Sequence, residues 1–298
     1  MPPRSYTLKE IREKGQPPGL KDRRNEEHWA GRLYARSLSP FLTWISLRIG
    51  LSPNQLTYLM ILSGIGAGVA FGFGTGLVSA IVGAFLVQLY LVLDCTDGEV
   101  ARVTGRTSIT GVYLDRLGHY FSEVAVVIGL GFRAEKQFDL PWGQGGWIML
   151  GLLGALGVAL IKAETDNVVV ARAKSGLPAD PPGGDRALRP TSPWLALARQ
   201  AASLLKFHRI IGAVELSLLI LVAAVLDHLL NLPSVATESF GWFAYTSDGT
   251  RPLIESGGYF GSPVEWTVTR GLLVAVAAVA VLQTVLHFVS VVASRRLK

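Results

Sequence analysis

The chain has little charge, a single cysteine and no sign of internal repetition. Charged residues fill only 17% of its 298 positions while hydrophobic ones reach 50%. With a mean hydropathy of +0.38, this excludes an ordinary soluble domain of this length and indicates a polytopic, all-α membrane protein. The lone Cys95 excludes an intrachain disulfide. Within an apolar stretch it reads as a small packing residue rather than a nucleophile. A cationic start followed by a short apolar core and a small-residue cleavage site is also missing, so no removable signal peptide is expected.

What is present, above all, is apolar length. Stretches able to cross ~30 Å of hydrocarbon at 1.5 Å per residue fall near 53–75, 77–101, 109–132, 145–171, 209–231 and 267–294, which predicts six transmembrane helices. Lys and Arg gather in loops retained in the cytoplasm. Lys9, Arg12, Lys14, Lys21, Arg23, Arg24, Arg102, Arg106, Arg172, Lys174, Arg186, Arg189, Arg199, Lys206 and the Arg295–Lys298 tail all fall on one side of that arrangement. The opposite side carries Glu135, Asp139, Glu238, Asp248 and Glu255. Both termini are therefore expected in the cytoplasm, in a multi-pass protein of the plasma membrane. The net charge of +6 is explained by membrane-flanking cations and anionic lipid headgroups, so no nucleic-acid partner is expected.

Composition divides the chain further. Residues 1–25 read as a loose cytoplasmic arm, and 26–52 as an interfacial amphipathic helix. In the latter, Trp29, Leu33, Tyr34, Phe41, Leu42, Trp44 and Ile45 oppose Arg32, Arg36 and Arg48, with Pro40 expected to bend or break the helix. Residues 53–294 form the six-helix domain and 295–298 a cytoplasmic tail. The Pro- and Gly-rich link at 172–208 forbids a continuous helix, although WLALARQAASLLKF within it suits a second surface helix. The stretch 232–265 is the longest outward connection, and its aromatic pieces suit the headgroup level.

The run DCTDGEVARVTGRTSITGVYLDRLGH at 94–119 holds the chemistry. Acids at membrane depth are costly unless paired, hydrated or bound to a cation. Asp94 and Asp97, three apart on the second span, share a helix face that Ala101 continues; Asp115 and His119, four apart on the third, share another, with Glu123 one turn on. Two adjacent antiparallel helices thereby aim four ligands into one pocket. Oxygen donors suit magnesium, manganese or calcium, and two such ions can hold both ends of a phosphoryl displacement. Gly98, Ala101 and Gly111 remove bulk beside the acids. Arg102 at the mouth suits bidentate contact with pyrophosphate.

This pattern resembles the CDP-alcohol phosphotransferase signature D-x2-D-G-x2-A-R-x8-G-x3-D-x3-D. Asp94, Asp97, Gly98, Ala101, Arg102, Gly111 and Asp115 fall in place, and His119 stands where the last aspartate belongs. LSPNQLT at the first span resembles the family's usual opening, with Asn54 and Thr57 near the nucleotide. The resemblance implies that a hydroxyl acceptor attacks the β-phosphorus of a CDP-linked donor and releases CMP, in phospholipid biosynthesis. It implies two divalent ions, Mg2+ or Mn2+, on Asp94, Asp97, Asp115 and His119, a donor site of Asn54, Thr57, Gly98, Ala101, Arg102 and Gly111, and a homodimer. His119 would act as base or metal ligand in the departed position. An altered donor or metal, or weakened activity, are its alternatives.

Glu99, directly after the Asp-Gly pair, reads as a solvated side chain near the helix end, with likeness to relatives using soluble or non-glycerolipid partners as the other reading. Arg116, Lys162, Arg172 and Arg209 are candidate contacts for a phosphorylated acceptor, though each also fits a snorkelling anchor. Lys162, Glu164 and Asp166 are placed to neutralise one another, and Glu215 to meet a cation or line the pocket. The donor is expected to be CDP-diacylglycerol, with a soluble CDP-alcohol such as CDP-inositol as its alternative. An ion-coupled transporter and a catalytically silent scaffold are the rivals from other classes. The transporter lacks the paired Gly/Pro interruptions it would need.

Overall fold

The computed structural model describes residues 6–17, 29–74, 76–135, 146–178, 211–230 and 267–293, and every regular element among them is helical. In chain order these are α1 (Leu8–Gly15), a π-helical turn (Gly31–Ala35) leading into α2 (Arg36–Ile49), α3 (Pro53–Phe73), α4 (Leu77–Thr104), α5 (Ile109–Glu135), α6 (Gly146–Lys174), α7 (Ala213–Leu229) and α8 (Val268–Ala293). The link beyond Pro178, the 232–265 connection and the 295–298 tail lie outside the described residues.

Among the described residues four helices, α3, α4, α6 and α8, are long and apolar enough to cross a membrane. The other two expected spans differ for identifiable reasons. α5 is interrupted by Asp115, Arg116, His119, Glu123 and Arg133, and α7 has only 17 described residues. The polar groups that make α5 chemically interesting also dilute its apolar content.

Local chemistry sets the helix ends around the site. Gly50 closes α2 with φ +78°, a left-handed turn that a side chain would resist. Ser52 then opens α3 with a capping box: its hydroxyl accepts from the Gln55 N–H at 3.3 Å, and the Gln55 side chain accepts from the Ser52 N–H at 2.9 Å. Pro53 sits in the first turn, where its missing N–H costs nothing. The LSPNQLT stretch thus starts a helix with Asn54 and Thr57 on its first turns.

α3 packs closely against both α4 and α5, α5 against α6, α6 against α8, and α4 against α7. The expectation that the acid-bearing helices α4 and α5 are direct neighbours needs correction, because α3 lies against both and α4 meets α5 chiefly across the site. The α3–α5 seam is tight because bulk is absent. A Cβ on Gly68 would come within 2.3 Å of the Ala125 carbonyl oxygen, and one on Gly129 within 2.3 Å of the Gly68 oxygen. Small residues let two backbones touch where lipid offers no hydrophobic drive.

At the far end of the bundle from the motif, buried polar groups staple the turns. Arg133 donates to the Gly74 carbonyl at 2.9 Å and to Ser79 Oγ at 3.0 Å, and Glu135 accepts from the Trp147 N–H at 2.8 Å. Asp227 accepts from the Val268 N–H at 2.7 Å and the Thr269 hydroxyl at 2.6 Å.

The N-terminal region departs from expectation. Within the arm read as loose, Leu8–Gly15 is a helix with a Thr7–Glu10 capping box, and it packs on α2 and α4 with Ile11 fully buried. Pro40 does not break α2. It removes the N–H that would bond the Arg36 carbonyl, and Gln16 Nε2 donates to that carbonyl instead, at 2.6 Å. α2 turns Ser39, Thr43 and Ser46 inward while Leu38, Phe41, Ile45 and Ile49 stay exposed. In the preceding turn, burial pushes the Tyr34 phenol above its ordinary value, with Cys95 and Glu215 adding to it, so it keeps its proton and donates to Gln88.

Candidate active site

A cavity of about 420 Å³ opens between the start of α3, the end of α4 and the start of α5. Asn54, Thr57, Asp94, Asp97, Gly98, Ala101, Arg102, Gly111, Asp115 and His119 all line it. The acids and histidine read from helical spacing and the donor-site residues implied by the resemblance therefore converge on one space. Gly105, with φ +68°, ends α4 in a left-handed turn and reverses the chain within four residues, which brings the two halves of the motif together.

The acids are held differently from one another. His119 Nε2 lies 3.4 Å from Asp94 Oδ1 and 3.6 Å from Asp115 Oδ1. One donor atom from each of Asp94, Asp115 and His119 falls within 4.8 Å of the others, a set that could hold a divalent cation. Asp97 stands outside that trio and is 8% exposed. Thr57 donates its hydroxyl proton to Asp97 Oδ2 at 2.7 Å. Thr57, expected near the nucleotide, thus has a second role in orienting a carboxylate.

His119 is oriented from behind by Tyr90 of α4, whose hydroxyl is hydrogen-bonded to Nδ1. This contact fixes the ring so that Nε2 faces the two carboxylates, and a ring that carries its proton on Nδ1 leaves Nε2 able to accept one. Tyr90 escaped the sequence reading because a tyrosine in an apolar run looks like core. Its position four residues before Asp94, one helical turn away, was the available signal.

The cavity also has walls that the motif does not contain. Arg36 at the start of α2 and Arg106, Thr107 and Ser108 in the α4–α5 turn line it alongside Arg102. A space bordered by acids on one side and arginines on the other suits a phosphate ester carrying metal ions. Gly98 makes room for one of those arginines, since a Cβ there would stand 3.0 Å from an Arg102 terminal nitrogen.

Glu99 is the largest departure. Expected in solvent, it is completely buried, and its carboxylate accepts from Gln16 Nε2 at 2.8 Å, Ser39 Oγ at 2.5 Å and Thr43 Oγ1 at 2.7 Å. Position 99 turns away from the Asp94–Asp97 face by roughly a half-turn, toward α1 and α2.

The expected acceptor cations do not line this cavity. Arg116 is ion-paired with Asp166, and Lys162 lies 3.1 Å from Glu123. Arg116 follows Asp115 by one residue, about 100° around the helix, and so faces α6. The neutralisation expected within Lys162, Glu164 and Asp166 runs instead between helices. Arg172 is 2% exposed and its Nε donates to the Pro178 carbonyl at 2.8 Å, closing the end of α6. Arg209 lies outside the described residues. Glu215 accepts from Trp29 Nε1 at 2.8 Å rather than lining the cavity.

Comparison with known proteins bears on the same segment. The family profile described as CDP-alcohol phosphatidyltransferase matches residues 50–228, more than half of the chain and inclusive of the whole cavity motif. A bifunctional IPC transferase and DIPP synthase from Aquifex aeolicus is 34% identical over 92 residues, 30% of this chain and 20% of that protein. An archaetidylinositol phosphate synthase from Pyrococcus horikoshii is 30% identical over 97 residues, covering 32% and 48%. A phosphatidylinositol phosphate synthase from Streptomyces avermitilis is 33% identical over 87 residues, covering 29% and 34%. The matched segments span between about a fifth and about half of these relatives' length.

Proposed function

The chain belongs to the CDP-alcohol phosphatidyltransferase family, and on that premise we propose that it is an integral-membrane transferase moving a phosphatidyl group from CDP-diacylglycerol to a hydroxyl acceptor in phospholipid biosynthesis. The observation that carries this reading is the convergence of every motif residue, His119 included, on one cavity. We place it in the plasma membrane, and the distribution of Lys and Arg supports both termini and the site facing the cytoplasm. The exposed apolar side of α2 suits the membrane interface.

In the reaction, an acceptor oxygen forms a bond to the β-phosphorus, the bond from that phosphorus to the CMP oxygen breaks, and CMP leaves with the electron pair. His119 Nε2, bare when Nδ1–H donates to Tyr90, takes the acceptor proton. Asp94 and Asp115 would hold one divalent ion, with His119 Nε2 as a third ligand only when it is not the base, and Asp97 would contribute to a second; magnesium or manganese there would supply charge neutralisation at the donor pyrophosphate. Arg102 contacts pyrophosphate oxygens, Asn54 and Thr57 border the nucleotide, and Gly98, Ala101 and Gly111 give it room.

The acceptor is a phosphorylated polyol, in keeping with relatives named for inositol phosphate products. Arg106 lines the cavity and Arg116 and Lys162 stand on its α5–α6 flank, with Arg172 and Arg209 further along the chain. A second reading, with a soluble CDP-alcohol such as CDP-inositol as donor, is favoured by the likeness to the bifunctional IPC transferase and DIPP synthase. We further propose a homodimer, as the resemblance implies. The test is CMP release by the purified protein with each donor, across polyol phosphates and metals. Release with CDP-diacylglycerol supports the first reading, release only with soluble donors supports the second, and none with any donor overturns both.

A further inference from the structure

We infer that Glu99 is a positioning residue that clips the two N-terminal helices onto α4 and thereby sets Arg36 and Arg102 as the phosphate-facing wall of the cavity. The inference rests on the transferase reading for its ligand but not for its geometry.

Three facts join. First, Glu99 is a fully buried carboxylate with no arginine or lysine among its hydrogen-bond partners; its donors are the Gln16 amide and the Ser39 and Thr43 hydroxyls. A buried charge held by neutral donors is expensive to keep. It is tolerated where those bonds fix something else in place.

Second, the donors come from α1's end and from α2, and the same groups reach the arginines. Gln16 Nε2 donates both to Glu99 and to the Arg36 carbonyl, the acceptor that Pro40 leaves vacant. Arg102 Nε donates to the Gly15 carbonyl at 2.7 Å, one residue before Gln16. Occupying Nε in this way leaves the two terminal nitrogens to the cavity side, where Gly98 makes room for them. Ser39 and Thr43, four apart, hold the α2 face whose first residue is Arg36.

Third, Glu99 lies in the same helical turn as Gly98, Ala101 and Arg102 but does not line the cavity, so it does not meet the donor itself. Its effect on binding is transmitted through the two arginines. Without the carboxylate, α1 loses its Gln16 attachment to α4 and keeps the Arg102–Gly15 bond, so the backbone around both guanidinium groups is held less firmly.

The experiment uses the full-length protein in detergent micelles or lipid nanodiscs and two readouts. Amide hydrogen exchange across residues 8–16 is compared for wild type, Glu99→Ala, Glu99→Gln and Gln16→Ala without ligand. Affinity for inorganic pyrophosphate with Mn2+ is measured calorimetrically for the same set. Glu99→Ala is expected to speed exchange in 8–16 and weaken pyrophosphate binding by about tenfold or more, the scale of losing hydrogen bonds to a charged group. Gln16→Ala, which leaves the carboxylate its two hydroxyl donors, shifts both readouts in the same direction by less. Glu99→Gln keeps a carbonyl acceptor and an amide for the hydroxyls, and it restores most of the binding.

Unchanged exchange or unchanged pyrophosphate affinity in both Glu99→Ala and Gln16→Ala overturns the inference, as does wild type that binds no pyrophosphate. Faster exchange and weaker pyrophosphate binding in Glu99→Ala, with a wild type that binds pyrophosphate but releases no CMP from any CDP-alcohol, would leave the clamp standing and remove the transferase reading instead.

Discussion

The Thr57 hydroxyl on α3 donates to Asp97 Oδ2 on α4 at 2.7 Å, so one helix fixes the carboxylate of another at the cavity wall. Thr57→Val keeps the shape and removes the donor, leaving Asp97 nearly buried and unsupported on that oxygen. A hydrogen bond to a charged partner contributes about 1.5–3 kcal/mol. Apparent affinity for Mn2+ and for the CDP-linked donor should therefore fall roughly tenfold or more, while Thr57→Ser stays close to wild type. Manganese titration and donor KM check this; equal values for Thr57→Val would take the hydroxyl out of the site.

His119 is expected to matter through both ring nitrogens. Replacing it with Ala removes the base or ligand that Nε2 provides and should lower turnover by about 10²-fold or more. His119→Asp, which restores the common form of the motif, should keep measurable turnover and move metal preference toward Mg2+. Tyr90→Phe deletes the group behind Nδ1, and loss of such a partner typically reduces metal affinity by about 10–100-fold. Mn2+ binding followed by electron paramagnetic resonance reads this directly; full retention in Tyr90→Phe would show that the ring needs no support.

Much of the site was legible because its residues are local. Asp94, Asp97, Gly98, Ala101, Arg102, Gly111, Asp115 and His119 lie within 26 consecutive positions of the sequence, and helical spacing alone put them on shared faces. Asn54 and Thr57 were expected there only through the resemblance of LSPNQLT to the family's usual opening. Arg36, Tyr90 and the inward turn of Glu99 were not legible, because each depends on which helix lies opposite. An acid beside a helix end looks solvated until α1 and α2 are seen to cover it. The ion pairs of the expected acceptor cations were illegible for a related reason: spacing gives a cation's face but not the acid waiting across the gap, as Asp166 does for Arg116 and Glu123 for Lys162.

Metal occupancy can be divided among the acids. Asp94, Asp115 and His119 present donor atoms close enough for one ion, and Asp97 stands outside that group. Asp94→Asn should weaken the tightest Mn2+ site by at least about tenfold, whereas Asp97→Asn should leave one ion bound per chain and remove the other. Removing metal with a chelator should abolish CMP release, and returning Mn2+ or Mg2+ should restore it. A single bound ion in wild type, untouched by Asp97→Asn, would reduce the site to one metal.

The Lys162–Glu123 pair separates stability from substrate contact. Its nitrogen and oxygen are 3.1 Å apart, with side chains 25% and 19% exposed, so solvent screens it only partly. Lys162→Met leaves Glu123 in the α5–α6 seam without its cation, and a loss of about 2 kcal/mol is expected, below the ~3–5 kcal/mol of full burial. Adding Glu123→Leu removes the orphaned charge and should recover most of that stability, since an apolar pair can replace a buried ion pair at little cost. Thermal unfolding of the detergent-solubilised protein measures the stability, and acceptor KM measures the contact. If the double variant regains its melting temperature and keeps the wild-type acceptor KM, Lys162 serves the fold. A KM that stays raised after stability returns would instead assign the ammonium to the acceptor phosphate.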